Sequence, residues 1–343
     1  MKALVMRGHG DLSMLEVADV PEPEVTDGWV KIRLAAAGMN RLDLFTLGGL
    51  PGITLEFPHI PGSDGAGVVT EVGSGAQGVE PGDQVIFNPG VSCYECEYCK
   101  NGEHSLCVRY RILGEHLPGT FAEYALVPHQ NIAKRPHTVS WHEAAAFSLV
   151  TITSWRMMVT RADVQADEVV LIWGIGGGVS GTCLQIAKML GAFVIATSSS
   201  DEKLAVARTM GADEVLNHSR VDVAKEVRAI TKRRGADVVI DNVGEATWEQ
   251  SLKALGRAGR LVTCGATTGA RVVSDVRRLF WNQYTIMGST MGNAAEYQKI
   301  VELLGQGELV PRVDSVFPLD EGVAAFERLE AGEQMGKVVV QIS

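Results

Sequence analysis

The sequence predicts an α/β protein in which a β-rich half is joined to a doubly wound parallel sheet. Three observations carry that prediction. Up to about residue 150 short strand-like runs are broken by turn residues, from about residue 165 apolar runs alternate with helix-length segments, and the first of those runs leads straight into a glycine-rich turn.

In the first half the expected strands are residues 30–35 before Gly38, 67–71 before Gly73, and 84–87 before Asn88, Pro89 and Gly90. In the second half they are 169–173, 193–197, 213–216, 238–241 and 260–264, an order that implies βαβ units. Between them, residues 183–190 place Leu184, Ala187, Met189 and Leu190 near helical spacing and stop at Gly191. A further helix is expected from Ser199, read as a capping box with Glu202 and closed by Gly211. Beyond Gly288 come a helix over 294–305 and a last strand over 338–342, which need not join the parallel sheet. The expected domains are 1–150, with a cysteine lobe near 90–110; 151–290; and 291–343 completing the first.

Composition narrows the function. Hydrophobic residues form 46% and charged residues 21% of 343, enough apolar material for two cores and little sign of disorder. Thirty-one Lys and Arg against 41 Asp and Glu give a net charge of −10, and Lys232, Arg233 and Arg234 are the only basic block. A nucleic-acid or anionic-membrane partner is disfavoured, and a small-molecule substrate is expected. Residues 1–4 open directly into a strand-like run and no long apolar stretch follows, so the expected location is cytoplasmic without a cleaved leader. Four of the six cysteines crowd between Cys93 and Cys107, which suits a metal in a reducing compartment better than a disulfide framework.

Residues 173–181 read WGIGGGVSG, with Gly176, Gly178 and Gly181 satisfying G-x-G-x-x-G and Gly174 and Gly177 adding to it. Glycines there permit a tight turn, let backbone approach a pyrophosphate and let the helix pack closely on its strand. The helix start, with Val179, adds free N–H donors and a partial positive charge. The preceding strand and following βα units supply the context that a dinucleotide site requires. At the end of the second strand no carboxylate stands. Ser198, Ser199 and Lys203 suit the 2′-phosphate of NADP, while Asp201 within reach of a ribose leaves NAD the alternative. Asn242 and Val243 after the fourth strand, and Gly265 and Thr267 after the fifth, lie where open α/β sheets bind ligands.

Cys93, Cys96, Cys99 and Cys107 form C-x2-C-x2-C-x7-C. Four thiolates match a closed tetrahedral zinc site, expected once per chain and structural because no position is left for substrate. An iron–sulfur cluster uses similar spacings, but Val108 stands where the usual proline follows the fourth cysteine.

With these features the chain resembles the medium-chain dehydrogenase/reductase superfamily. The resemblance spans nearly the whole sequence through GMNRLD at 38–43, PGSDGAG at 61–67, PGDQV at 81–85, GTFAEY at 119–124, GAD at 211–213 and GKVV at 336–339. It implies a GroES-like β domain, a Rossmann domain, an active site in the cleft between them, and a homodimer or homotetramer. In the zinc alcohol dehydrogenases of this superfamily a cysteine, a histidine beside a glutamate, and a later cysteine hold a catalytic zinc. Here Asn40, then Ser63 with Asp64, then Leu149 stand at those positions, a set that does not ligate zinc. Asn40 with Asp43 resembles instead the quinone oxidoreductase-like branch, although a cysteine lobe departs from its simplest members.

The expected activity is hydride transfer from NAD(P)H to an activated alkene, a quinone or a related carbonyl compound without catalytic zinc. Conjugation spreads the developing charge, and hydrogen-bond donors replace the Lewis acid. By family position those donors are Asn40, Ser63 and Thr153, with Arg41 a further candidate. Asp43 reads more as a helix brace than an acid, and His59 as a structural histidine. Phe280, Trp281 and Tyr284 fit a substrate pocket, a dimer surface or plain core. The rival readings are an NAD(P)-dependent alcohol dehydrogenase and a dinucleotide-binding sensor without catalysis.

Overall fold

A computed structural model describes all residues, 1–343, as two compact units: Met1–Ile152 with Gly292–Ser343, and Thr153–Met291.

The first unit is built on a seven-stranded sheet. In spatial order Val313–Pro318, Lys337–Gln341, Trp29–Gly38, Asp64–Val72, Gln84–Phe87 and Ile132–Lys134 pair in turn, and Tyr124–Pro128 also pairs with Trp29–Gly38. Alternation within Trp29–Gly38 sends Val30, Ile32 and Leu34 to one core with Val69, Val85, Phe87 and Val127. Ala37 and Met39 join Leu4, Phe121, Val338 and Val340 in another, which the helix Gly322–Glu330 covers with Ala325, Phe326 and Leu329. The final strand thus belongs to this unit, pairing antiparallel with Trp29–Gly38.

Register here positions chemistry. Gly38 faces both Asp64 and Val339, and the ladder continues through the Met39 N–H donated to the Val338 carbonyl at 2.9 Å. Asn40 and Lys337 therefore stand opposite each other just past the paired strands, with Asp64 alongside. The helix Arg41–Gly48 begins at that point.

The second unit is a six-stranded sheet with every neighbouring pair parallel. Its order is Glu214–Asn217, Phe193–Ser198, Val169–Ile172, Ala236–Ile240, Leu255–Thr263, Thr285–Gly288. Counted along the chain this is 3-2-1-4-5-6, the doubly wound Rossmann order. All four residues of Val169–Ile172 are buried, as a strand covered on both faces requires.

Two expectations change. The fifth strand begins at Leu255, not near 260, with a register irregularity and left-handed Ala258 in a Gly-Arg-Ala-Gly stretch whose lack of large apolar residues hid it. The helix after the second strand is Asp201–Thr209, capped by Ser200, whose hydroxyl accepts the Lys203 N–H at 3.3 Å. The capping box of Ser199 with Glu202 is not formed. The Ser198 hydroxyl takes the Ser200 N–H at 3.1 Å and moves the start one residue on. No helix is long and apolar enough to cross a membrane.

Candidate active site

The predicted cofactor residues gather at the C-terminal ends of the inner strands of the parallel sheet. Gly174 turns the chain with φ +63°, its N–H on the Thr197 hydroxyl at 3.3 Å and the Ile175 N–H on the Thr197 carbonyl at 2.9 Å. Gly177 is the N-cap of the helix Gly178–Met189, and having no side chain it leaves the first N–H groups of the helix for an anion. Gly181 is not required by packing. A Cβ there would meet nothing closer than the Met210 Cε at 3.9 Å, so the expected close approach of helix and strand is absent at this residue.

Beside it, fully buried Asp241 shapes the next turn. Its carboxylate accepts the Thr247 hydroxyl at 2.8 Å, the Ser251 hydroxyl at 2.6 Å, and the N–H groups of Val243 and Gly244 at 3.0 and 3.1 Å. Bonded this fully, a carboxylate stays buried without a cation. The Thr267 hydroxyl donates to the Asn242 carbonyl at 3.1 Å, and Gly265 lies with it on the following loop.

Sequence reasoning missed a recess of about 290 Å³ in this unit, lined by Trp173, His218, Val243, Thr247, Gln250 and Thr268 among others. The buried indole N–H of Trp173 has no acceptor in the structure. At the end of the second strand Ser198 is buried and Ser199 exposed. Arg220, also missed, pairs with Asp201 at 2.8 Å from the loop after the third strand.

In the cysteine lobe the four Sγ atoms lie within 4.8 Å of one another, with Cys96–Cys99 at 3.5 Å and Cys93–Cys99 at 3.9 Å. A tetrahedron with Zn–S bonds near 2.3 Å has edges of about 3.8 Å, so the residues fit zinc. Backbone N–H groups of Glu95 and Cys96 hold the Cys93 thiol down to about 6, while burial pushes Cys99 up to about 12.

In the first unit the Asn40 Nδ2 donates to the Asp64 Oδ2 at 2.9 Å, the Leu149 N–H to the Asp64 Oδ1 at 2.7 Å, and the Lys337 Nζ to the Asp64 Oδ2 at 3.1 Å and to the Asn40 Oδ1. Asp64 is 0% and Lys337 3% exposed, so this ion pair is out of water. Sequence reasoning quoted Lys337 within GKVV and gave it no role. The available signal was a lysine opening the otherwise apolar strand Val338, Val339, Val340.

Asp43 accepts the Asn40 N–H at 2.7 Å, which makes it the expected helix brace; burial pushes its carboxyl up to about 7. The Ser63 hydroxyl donates to the Leu113 carbonyl at 2.7 Å. Asn40 and Ser63 were expected to offer donors to a substrate oxygen, but both spend their donors inside the fold. Thr153 is buried in the other unit with its hydroxyl directed to the Met291 sulfur at 3.7 Å. Arg41 is half-buried near Glu330. His59 is buried with its Nε2 at 3.0 Å from the Gly114 carbonyl, and desolvation lowers its pKa. Tyr284 is core, bonding the Leu255 carbonyl at 3.0 Å, whereas Phe280 and Trp281 are exposed.

Comparison with known proteins agrees with this fold. The family described as alcohol dehydrogenase GroES-like domain matches residues 26–137, and that described as zinc-binding dehydrogenase matches 178–306. An NAD-dependent alcohol dehydrogenase of Sulfolobus acidocaldarius is 32% identical over 100% of both chains. An acryloyl-coenzyme A reductase of Metallosphaera sedula is 30% identical over 99% of both. A crystal structure of an NAD-dependent alcohol dehydrogenase superposes with a TM-score of 0.96 at 42% identity, covering 100% of both chains. Two matched domains, full-length relatives and the strand orders of both units agree: the chain is an oxidoreductase of the zinc-type medium-chain dehydrogenase/reductase superfamily.

Proposed function

We propose that this enzyme reduces an activated alkene, a quinone or a related carbonyl compound with NAD(P)H and without a catalytic zinc. The observation that carries the reading is the donor set where the family's catalytic zinc would sit: an amide, a carboxylate committed to Lys337, and Leu149, whose side chain offers no ligand atom. Those residues do not fit zinc. An acryloyl-coenzyme A reductase among full-length relatives supports conjugated acceptors.

The bound nicotinamide supplies the hydride. The chain's part is to hold the cofactor, through the Gly174–Val179 turn for the pyrophosphate, Asn242, Val243, Gly265 and Thr267 past the C-terminal ends of the strands, and the recess beside Trp173 and His218 for the adenine. Ser198, Ser199 and Lys203, joined by Arg220, favour NADPH, since the strand ends without a carboxylate to repel a 2′-phosphate. Of the three residues that family position assigns to catalysis, Asn40 and Ser63 spend their donors inside the fold, and Thr153 would reach an acceptor oxygen only by giving up its contact with the Met291 sulfur. Protonation comes from water. The four cysteines hold one structural zinc, which orders their loop and takes no part in the reaction.

A second copy is the expected partner, in a homodimer or homotetramer of a cytoplasmic enzyme. Thr285–Gly288 is an open sheet edge, and Val273, Phe280 and Trp281 are exposed nearby in sequence.

The deciding experiment follows NADPH and NADH oxidation against one enone, one quinone, one aldehyde and one ketone, with and without brief chelation. Faster turnover of enone or quinone, insensitive to the chelator, is expected. Turnover of aldehyde or ketone alone establishes the second reading, an alcohol dehydrogenase, which the names of the relatives favour.

A further inference from the structure

The positions that the resemblance assigns to a second metal do converge. The Asn40 amide, the Asp64 carboxylate and the Leu149 N–H are joined by hydrogen bonds of 2.7–2.9 Å. What stands among them is an ammonium. We infer that Lys337 is the resident cation of this cluster: it neutralises Asp64, fixes the Asn40 amide and closes the cluster to a divalent ion.

Lysine is almost never buried unless paired, and Lys337 is buried against a carboxylate that is itself fully out of water. An ammonium only donates, so the Asn40 Oδ1 must face Lys337 and the Nδ2 must face Asp64; the amide has one orientation. Asp64 Oδ2 is then shared between two donors and Oδ1 accepts from Leu149, so about one of the four acceptor positions of the carboxylate is left for a metal, too few for a site whose other members offer no ligand. A divalent ion would also have to enter beside a desolvated positive charge. The Lys337 ammonium already answers the Asp64 carboxylate.

This makes Lys337 a positioning residue. The inference rests on the metal-free reading above and not on which acceptor is reduced, so its test needs no acceptor.

Metal content and melting temperature are measured on the full-length protein. Wild type is expected to hold one zinc per chain. Lys337→Ala strands the Asp64 carboxylate and should melt about 10 °C lower. n-Propylammonium chloride, which replaces the missing end of the side chain, should restore at least half of that loss, while sodium chloride at equal ionic strength and n-propanol should not. Lys337→Met with Asp64→Asn, a pair without charge, should melt above Lys337→Met alone. If Lys337→Ala gives no folded protein, the double variant decides: folded supports the inference, unfolded overturns it.

A Lys337→Ala variant that melts with wild type, or whose loss propylammonium leaves unchanged, overturns the role of Lys337 while the metal-free reading stands. Two zinc ions per wild-type chain overturn both.

Discussion

The Asp43 carboxylate reaches back to the Asn40 N–H at 2.7 Å, so the first turn of the helix Arg41–Gly48 and the Asn40–Asp64–Lys337 cluster are one hydrogen-bonded unit. Asp43 is fully shielded, and the cost of burying its charge outweighs the help of the Asn40 N–H and of Lys337.

That imbalance makes a pH dependence. Folded Asp43 keeps its proton to about 7, whereas the unfolded chain releases it at the ordinary carboxylate value, so the native state binds more protons between the two and stability falls as pH rises through that window. Asp43→Asn removes the titration. Its stability relative to wild type should improve by roughly 2 kcal/mol between about pH 5 and pH 7 in urea unfolding. Glu115, which burial also raises to about 7, has the same sign and is present in both proteins, so the comparison isolates Asp43. Parallel profiles would refute the assignment.

The glycine-rich turn separates into glycines that matter differently. Gly174 adopts φ +63°, a conformation in which a side chain is strained, so Gly174→Ala should cost about 1–2 kcal/mol. Gly181 lies inside the helix with room for a methyl group, and Gly181→Ala should stabilise by about 0.5–1 kcal/mol. Thermal melts of the two variants should shift in opposite directions. A destabilised Gly181→Ala would mean that the helix packs more closely than the structure shows.

How far the sequence could be read follows from these same residues. The strand Gln84–Phe87 was legible to the residue, and Val169–Ile172 within one, because apolar runs bounded by turn residues announce themselves. The four cysteines were legible because their spacing is local. Lys337 was not, since its meaning lies in a partner 273 residues away and in a register that only strand pairing fixes. The recess beside Trp173 was hidden for the same reason, its lining coming from four separate loops and helix starts. Asn40 and Ser63 could be singled out by family position, but which of their hydrogen atoms remain free is decided by Asp64 and by the Leu113 carbonyl.

The proposed preference for NADPH can be tested at Ser198. Its hydroxyl sits buried at the end of the second strand and accepts the Ser200 N–H, a bond that an aspartate there would keep. Ser198→Asp would place a carboxylate against a 2′-phosphate and offer an acceptor to a 2′-hydroxyl. kcat/KM for NADPH should fall at least about tenfold while that for NADH holds or rises, a change worth roughly 1.4 kcal/mol. An equal loss with both cofactors would show that the serine serves only the turn.

The cysteine lobe gives the last test. Cys99 is buried at 3.5 and 3.9 Å from the sulfurs of Cys96 and Cys93, and its thiol alone would resist ionisation, so a bound metal is what makes a fourth thiolate favourable there. The loop around it has little apolar core, with Tyr94, Tyr98, Leu106 and Val108 all exposed, so the proposed metal is expected to supply its order. Cys99→Ser should reduce zinc from one per chain to near none and lower the melting temperature by roughly 10 °C. Removing zinc from wild type by prolonged chelation should produce the same shift, and adding zinc back should reverse it only in wild type. A chain that carries iron instead would display charge-transfer absorbance in the visible, and one that keeps its melting temperature without metal would show that the four thiols are held by the fold alone.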